Sequence, residues 1–444
     1  MNTPICDFAR EYAREDPARM HMPGHKGSAC LGPEALDLTE IDGADELYRA
    51  RGIIRESEEN AAALFGAART VYSAEGSSLC IRAMLYLAAL TAAEKGLPRR
   101  VLAGRNAHRT LMTAAALLDL EVDWLFPEPG EGLLSCSVTP EKLEAALARG
   151  PYAAVWLTSP DYAGNRADLQ AAAACCRRHG VPLLVDNAHG AYLRFLSPDE
   201  HPLTLGADAC CDSAHKTLSC LTGAAYLHLS RSAPAGWAGR AEQAMALFAS
   251  TSPSWLILQS LDRMNGELAG DWPRRLREAA ARLEGIKKSL REEGWILCGN
   301  EPMKLSLSAP ARGYTGQELR DHLRRHGVVC EFADRDILVL MPSAETRETD
   351  WLRLEAALRA VPRKSPLPQA APALPRPERA CSIREAMLSP SETLPVREAI
   401  GRVLSDACVS CPPAVPPVIA GERITPDAAA CLLYYGIETV DVRR

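Results

Sequence analysis

A lysine and an aspartate thirty positions apart are the residues of this chain best suited to covalent chemistry. Lys216 stands in Asp212-Ser213-Ala214-His215-Lys216-Thr217, directly after an apolar run that reads as a strand. Asp186 closes the run Val181-Pro182-Leu183-Leu184-Val185 and is followed by Asn187-Ala188-His189-Gly190. In open parallel sheets the carboxyl ends of strands form the ligand crevice. A lone Lys is mostly a solvated residue, and a lone Asp serves as readily as a cap or a metal ligand. Together at strand ends they suit pyridoxal phosphate, whose ring nitrogen needs an anionic partner and whose aldehyde needs an amine. The acid keeps the ring protonated and strengthens it as an electron sink. A desolvated Lys among cationic groups has its nucleophilic form favoured.

Such a cofactor also needs a seat for its phosphate. Glu75-Gly76-Ser77-Ser78 lies between a strand and a long helix, where free N–H groups and the positive dipole end attract anions. Read alone, the same residues make an ordinary Ser N-cap. Ser213 and His215 can complete the cradle. In Arg105-Asn106-Ala107-His108-Arg109, after another strand, His108 can stack on the pyridine face; as an isolated His it reads as a surface residue.

The elements that must position these groups follow from the hydrophobic pattern. Short apolar runs alternate with helical patterns between about residues 70 and 229, the sequence form of a parallel sheet covered by helices. Seven strands are predicted, at 70–73, 100–103, 121–125, 153–158, 182–186, 209–212 and 224–229, with helices at 79–95 and 169–179, the latter stopped by Gly180. After residue 262 the texture changes. An amphipathic helix is predicted at 274–293, then a strand at 303–308, a helix opened by the capping box Thr315 to Glu318, strands near 328–332 and 337–341, and a helix at 345–360. Six of the sixteen residues 362–377 are Pro, which favours an extended spacer, and about 65 residues follow it. Pro372-x-x-Pro375 reads as part of that linker before it reads as a polyproline ligand.

Composition narrows the classes. At 444 residues the chain has room for about three domains. With 50 Lys and Arg against 56 Asp and Glu, the net charge of −6 supplies no basic field for nucleic acid. No apolar stretch suits a membrane span or an export signal. Fifteen Cys, several in apolar runs such as Cys175-Cys176 and Cys210-Cys211, behave as small hydrophobes and point to a reducing cytoplasm. Cys408-x-x-Cys411 lacks the companion ligands of a structural zinc site, so no metal is expected. Gly130-Glu131-Gly132 lacks the third Gly of a dinucleotide fingerprint and reads as a turn, and Arg177-Arg178 and Arg324-Arg325 read as solvated helix faces.

An ordered set of motifs resembles the Orn/Lys/Arg decarboxylase family (group III), in the short form lacking the amino-terminal wing domain. The set runs Met22-Pro23-Gly24-His25-Lys26-Gly27, Leu38-Thr39-Glu40-Ile41, Gly43-Ala44-Asp45-Glu46-Leu47-Tyr48, Leu64-Phe65-Gly66-Ala67, Gly76-Ser77-Ser78, Arg105-Asn106-Ala107-His108 and Thr158-Ser159-Pro160-Asp161-Tyr162. The two loops around Asp186 and Lys216 follow, and Cys411-Pro412-Pro413-Ala414-Val415-Pro416 and Gly421-Glu422 lie in the tail. The resemblance implies an α/β protein. Its large domain is expected to be a fold type I, aspartate aminotransferase-like pyridoxal-phosphate domain with a seven-stranded, mostly parallel sheet. A small α/β domain and a carboxy-terminal Orn/Lys/Arg decarboxylase-type domain complete it. The expected boundaries are 1–69 for a segment at a subunit interface and active-site mouth, 70–265 for the large domain, 266–361 for the small one, 362–379 for the linker and 380–444 for the tail domain.

The same resemblance implies Lys216 as the Schiff-base lysine, Asp186 beside the ring nitrogen, His108 stacked on the ring and His189 at its edge. Gly76, Ser77, Ser78, Ser213 and His215 are implied around the phosphate. The implied reaction is decarboxylation of arginine, lysine or ornithine through a quinonoid, with Lys216 or His215 returning a proton to the α-carbon. Glu422, Asp45 and Glu46 are candidate carboxylates for the substrate's distal cation and read equally well as helix-start or salt-bridging residues. Departures from the family pattern at Glu75, Asn187, Ala214 and Cys411 make the resemblance bear on the cofactor more directly than on the substrate. A cytoplasmic homodimer or higher homo-oligomer, serving polyamine biosynthesis, is the expected setting. The competing expectations are another fold type I activity, aminotransferase or lyase, and a noncatalytic protein that keeps the cofactor-binding scaffold.

Overall fold

Seven strands form one sheet in the order β1-β7-β6-β5-β4-β2-β3. They are β1 (Arg69–Ser73), β2 (Arg100–Gly104), β3 (Glu121–Leu125), β4 (Ala154–Thr158), β5 (Leu183–Asp186), β6 (Ala209–Asp212) and β7 (Ala225–Leu229). Each expected strand is present to within a residue at either end. β2 pairs with β3, and β5 with β6, in parallel. β7 runs antiparallel to both β6 and β1, so the sheet is mostly parallel. β5 and β6 are buried along their whole length, as strands covered on both faces must be. The computed structural model describes residues 1–128, 133, 135–368, 372–407 and 415–444. The Gly130-Glu131-Gly132 turn, the Cys408-x-x-Cys411 pair and residues 411–414 of the tail motif lie outside them.

Helices α1 (Pro4–Glu15), α2 (Ile53–Phe65), α3 (Ser77–Glu94), α4 (Arg109–Leu118), α5 (Pro140–Leu147), α6 (Leu169–His179), α7 (Ala214–Thr217), α8 (Trp237–Ala246), α9 (Trp255–Ala269) and α10 (Trp272–Glu292) accompany the sheet residues along the chain. α3 starts two residues before the expected Leu79, because Gly76 adopts φ 72° and ψ 178° and becomes the N-cap. That backbone region is essentially restricted to glycine. Leu276, Leu283, Ile286 and Leu290 of α10 are buried on one face, as their spacing required.

The chain forms two compact units, each from discontinuous stretches. One comprises Met1–Pro98, Tyr152–Val155 and Leu169–Arg274, the other Arg99–Pro151, Trp156–Asp168 and Arg275–Arg444. The second contains a four-stranded sheet of order β10-β11-β9-β8, built from β8 (Leu297–Cys298), β9 (Leu305–Ser308), β10 (Phe332–Ala333) and β11 (Ile337–Leu340), with α11 (Gly316–Arg325) and α12 (Glu348–Arg359). The Thr315 to Glu318 capping box forms as expected. The strand expected at 328–332 shrinks to the two residues of β10. β-branched side chains favour extended backbone, but Val329 is exposed, and the ladder to β11 holds only Phe332↔Val339 and Ala333↔Leu338. The two-residue β8 carries no periodic signal and was not expected. Residues 362–368 form no helix or strand, and Lys364 and Leu367 donate to the Arg312 and Pro310 carbonyls.

In the tail, α13 (Ile383–Met387) carries its own capping box, Ser382 with Glu385. β12 (Ser391–Pro395) pairs antiparallel with β13 (Thr439–Arg443), and α14 (Pro426–Tyr434) is capped by Thr425. Val396, Leu404, Val418, Ile424, Leu432 and Val442 make a core for this stretch. Every cysteine among the described residues is a free thiol. Among those residues no helix is long and apolar enough to cross a membrane.

The turn between β10 and β11 exposes a cost of burial. Asp334 accepts the N–H groups of Asp336 and Ile337 on Oδ1, at 2.7 and 2.8 Å, while its buried Oδ2 has no hydrogen-bond partner among the described residues. Burial therefore pushes its carboxyl up to about 6. Between about pH 4, where the unfolded side chain ionises, and the native value, the folded state keeps a proton that the unfolded chain has released, so stability falls as pH rises. Asp334→Asn imitates the protonated form and escapes that loss. Its stability relative to wild type should rise by up to roughly 3 kcal/mol between about pH 4 and pH 7. Thermal melts at the two pH values check this, and a pH-independent difference contradicts it.

Candidate active site

Parallel pairing of β5 with β6, with Val185 opposite Cys210 and Asp186 opposite Cys211, brings the Asp and Lys loops out of adjacent strand ends. Asp186 is buried. Its Oδ1 accepts the Ala188 N–H at 3.2 Å and the Cys211 thiol at 3.6 Å, and its other oxygen has no protein partner among the described residues. On the β6 side, Lys216 sits in the short α7 with an exposed side chain, its Nζ 3.1 Å from Nε2 of the buried His189. Which of the two nitrogens donates there is set by the imidazole tautomer. His189 and Asp186 belong to one tight turn, closed by the Gly190 N–H donating to the Asn187 carbonyl.

The residues expected around a phosphate come together at the start of α3. No side chain caps α3, and a Cβ on Gly76 would meet nothing within 4 Å. Ser77 therefore occupies the first turn instead of serving as the cap, and its hydroxyl accepts from Ser213 Oγ at 2.8 Å. Ser78 follows it in the helix. His215 donates from Nδ1 to the Ala224 carbonyl at 2.9 Å, which fixes its ring beside the same loop. Gly223 was not singled out in the sequence, although this geometry needs it. At φ 100° its carbonyl receives the Gly76 N–H, and a Cβ would lie 3.0 Å from the Ala74 carbonyl oxygen and 2.9 Å from Ile257.

In the other unit, His108 is the N-cap of α4. Its Nδ1 accepts the Thr110 N–H at 3.3 Å and lies 2.9 Å from the Thr110 hydroxyl, while the residue stays exposed. Three residues earlier, Arg105 is fully buried and grips Glu422 through two bonds of 2.7 Å. Its Nε donates to the Pro416 carbonyl, and its guanidinium lies over the rings of Trp124 and Phe126 at 5.2 and 5.1 Å. Glu422 Oε2 also accepts the Ile419 N–H.

Of the two readings open for Glu422 and Asp45, these contacts match the salt-bridging and helix-start one rather than a free carboxylate for the substrate's cation. Both oxygens of Glu422 are committed to Arg105, so its charge is already compensated. Both oxygens of Asp45 are occupied as well, Oδ1 by the Glu46 and Arg51 N–H groups and Oδ2 by those of Gly52 and Ile54, where it secures the start of α2. Glu46 is exposed and lies 3.6 Å from Arg49. The His25-Lys26 turn is knitted together locally, with His25 Nδ1 accepting the Gly27 N–H and Nε2 3.3 Å from Asp37.

The model of the Orn/Lys/Arg decarboxylase major domain matches residues 3–302. The chain belongs to the Orn/Lys/Arg decarboxylase family. An arginine decarboxylase of Bacillus subtilis (strain 168) is 29% identical over 457 residues, covering 95% of this chain and 91% of that protein. One from Halalkalibacterium halodurans is 28% identical with the same coverage. Among solved structures, the constitutive lysine decarboxylase of E. coli superposes with a TM-score of 0.79 at 17% identity, over all of this chain and 82% of that one. An alanine–glyoxylate aminotransferase from Nostoc sp. shares the fold at a TM-score of 0.53 and 19% identity, over 69% of this chain and 86% of that one.

This is a fold type I, pyridoxal-phosphate-dependent amino-acid decarboxylase. The residues of the decarboxylase fit the cofactor on their own chemistry: an uncapped helix start flanked by two hydroxyls, a buried aspartate with one oxygen uncommitted, and an exposed amine beside a buried imidazole.

The Arg105–Glu422 pair sets up a stability test. Glu422→Ala strands a buried guanidinium and should cost about 3–5 kcal/mol, whereas the double substitution Arg105→Met with Glu422→Leu, which removes both charges, should cost much less. Urea unfolding of the three proteins decides, and a double variant as unstable as Glu422→Ala would contradict the assignment.

Proposed function

We propose that the decarboxylase acts on a basic amino acid, arginine first, releasing CO₂ and the corresponding amine. The observation that carries this reading is the Asp186–His189 turn facing Lys216 across adjacent strand ends, supported by curated relatives named arginine decarboxylase over nearly the whole chain.

In this reading Lys216 would supply the amine that holds the cofactor's aldehyde, and Asp186 the anion for its ring nitrogen. His108 and His189 would bind its ring, while Gly76, Ser77, Ser78, Ser213 and His215 would hold the phosphate. When bound, pyridoxal phosphate supplies the electron-withdrawing ring that takes up the pair left by departing CO₂. The protein's share is orientation and electrostatics. The groups that anchor the substrate would choose, by how they orient it, which bond breaks. Lys216 Nζ then returns a proton to the α-carbon, with His189 Nε2 3.1 Å away as its exchange partner. The compensated state of Glu422 and Asp45 leaves the distal cation to other carboxylates, of which Glu46 is the exposed candidate. A homo-oligomeric cytoplasmic enzyme feeding polyamine synthesis is part of the same proposal.

Assays of CO₂ and amine from arginine, lysine and ornithine test it. The wild type should turn arginine over with the highest kcat/KM, Lys216→Ala should lose at least about a thousandfold in kcat, and Asp186→Asn about a hundredfold or more. A keto acid in place of CO₂, or full activity in Lys216→Ala, sinks the reading.

A further inference from the structure

The last residue of β6, Asp212, is fully buried and carries more hydrogen bonds than a strand end requires. Its Oδ1 accepts the Asn187 amide at 2.7 Å. Its Oδ2 lies 3.0 Å from His201 Nε2 and 3.4 Å from His228 Nε2, both rings fully buried. His228 in turn meets the Thr70 hydroxyl through Nδ1 at 2.8 Å. His201 Nδ1 accepts the Leu203 N–H, so the network assigns the proton to Nε2, where it is donated to Asp212. Burial by itself would push the Asp212 carboxyl up, but His201 and His228 more than offset this and hold it well below the usual range.

Cys210 lies close enough for its sulfur, the His201 nitrogen and the Asp212 oxygen to fall within 4.8 Å of one another, the residue types of a metal site. The His201 tautomer decides against that use. A metal-bound imidazole donates from its second nitrogen, whereas this one accepts there, and the 3.0 Å spacing to Asp212 is that of a charge-assisted hydrogen bond.

The consequence lies in what Asp212 joins. Its own strand runs directly into Ser213 and Lys216. Its partner Asn187 sits inside the turn that carries Asp186 on one side and His189 on the other. The Asn187 amide oxygen is buried without a partner among the described residues, so the Asp212 bond is what orients that amide. The backbone repeats the link, with the Asn187 N–H donating to the Cys211 carbonyl at 3.0 Å. We propose that Asp212 is a positioning residue which, held by His201 and bonded to Asn187, fixes the separation between Lys216 and the Asp186–His189 turn and so the seating of pyridoxal phosphate between them. This rests on Lys216 and Asp186 being the cofactor's two attachment points.

The test titrates the purified full-length chain with pyridoxal phosphate, following visible absorbance and the pH midpoint of that band. Wild type and Lys216→Ala come first: absence of a Lys216-dependent band defeats the underlying reading and is distinct from any result below. Asn187→Ala and Asp212→Ala should each weaken cofactor binding about tenfold and move the pH midpoint. Because both remove one shared bond, the double variant should be weaker than the worse single by less than about twofold. His201→Gln, which retains an N–H donor, should bind better than His201→Leu. Unchanged affinity and midpoint in Asn187→Ala, or effects that multiply in the double variant, overturn the proposal. Should Asp212→Ala fail to fold, Asn187→Ala and the two His201 variants decide it by the same criteria.

Discussion

A carboxylate and an amine can address the two ends of one small ring only if the strands that carry them lie side by side. Here the in-register parallel pairing of β5 with β6 meets that constraint, ending one strand in Asp186 and the other in Asp212 a few residues before Lys216. The apolar runs Leu183-Leu184-Val185 and Ala209-Cys210-Cys211 are buried on both faces and leave little room for register slip. The chemistry is thus placed by the part of the fold least able to move.

Burying charge at such a junction is costly unless each group is satisfied. The first unit answers with Asp212 surrounded by Asn187, His201 and His228, and with Asp262 accepting the Ser57 hydroxyl at 2.5 Å and the Cys6 N–H at 2.9 Å. The second answers with Arg105 and Glu422, and with Asp161, which accepts the Asn165 N–H and the Ser135 hydroxyl. Each arrangement joins segments distant in sequence, and each is a place where removing one partner strands the other.

The positions of the strands were legible because burial on both faces produces short apolar runs, and the helix limits because Gly180, Gly294 and the Thr315 to Glu318 box are local signals. The site loops were legible for the same reason, since a polar cluster directly after an apolar run stands out. The pattern misled where propensity lacked a partner, as at Val328 and Val329. It left two readings open for Asp45 and Glu422, cation ligand or helix-start and salt-bridging residue, and the structure spends one on backbone N–H groups and the other on a buried guanidinium.

The amino-acid order alone settled the sheet-and-helix alternation and the placing of the Lys216 and Asp186 loops and of Gly76 directly after strands, because each depends on neighbours within a few residues. Only the tertiary structure decided that Arg105 finds Glu422 at a separation of 317 positions, that Asp212 holds Asn187, and that Gly223 must pass beside Ala74. Such contacts depend on the path of all the intervening chain, and residue type does not record that path.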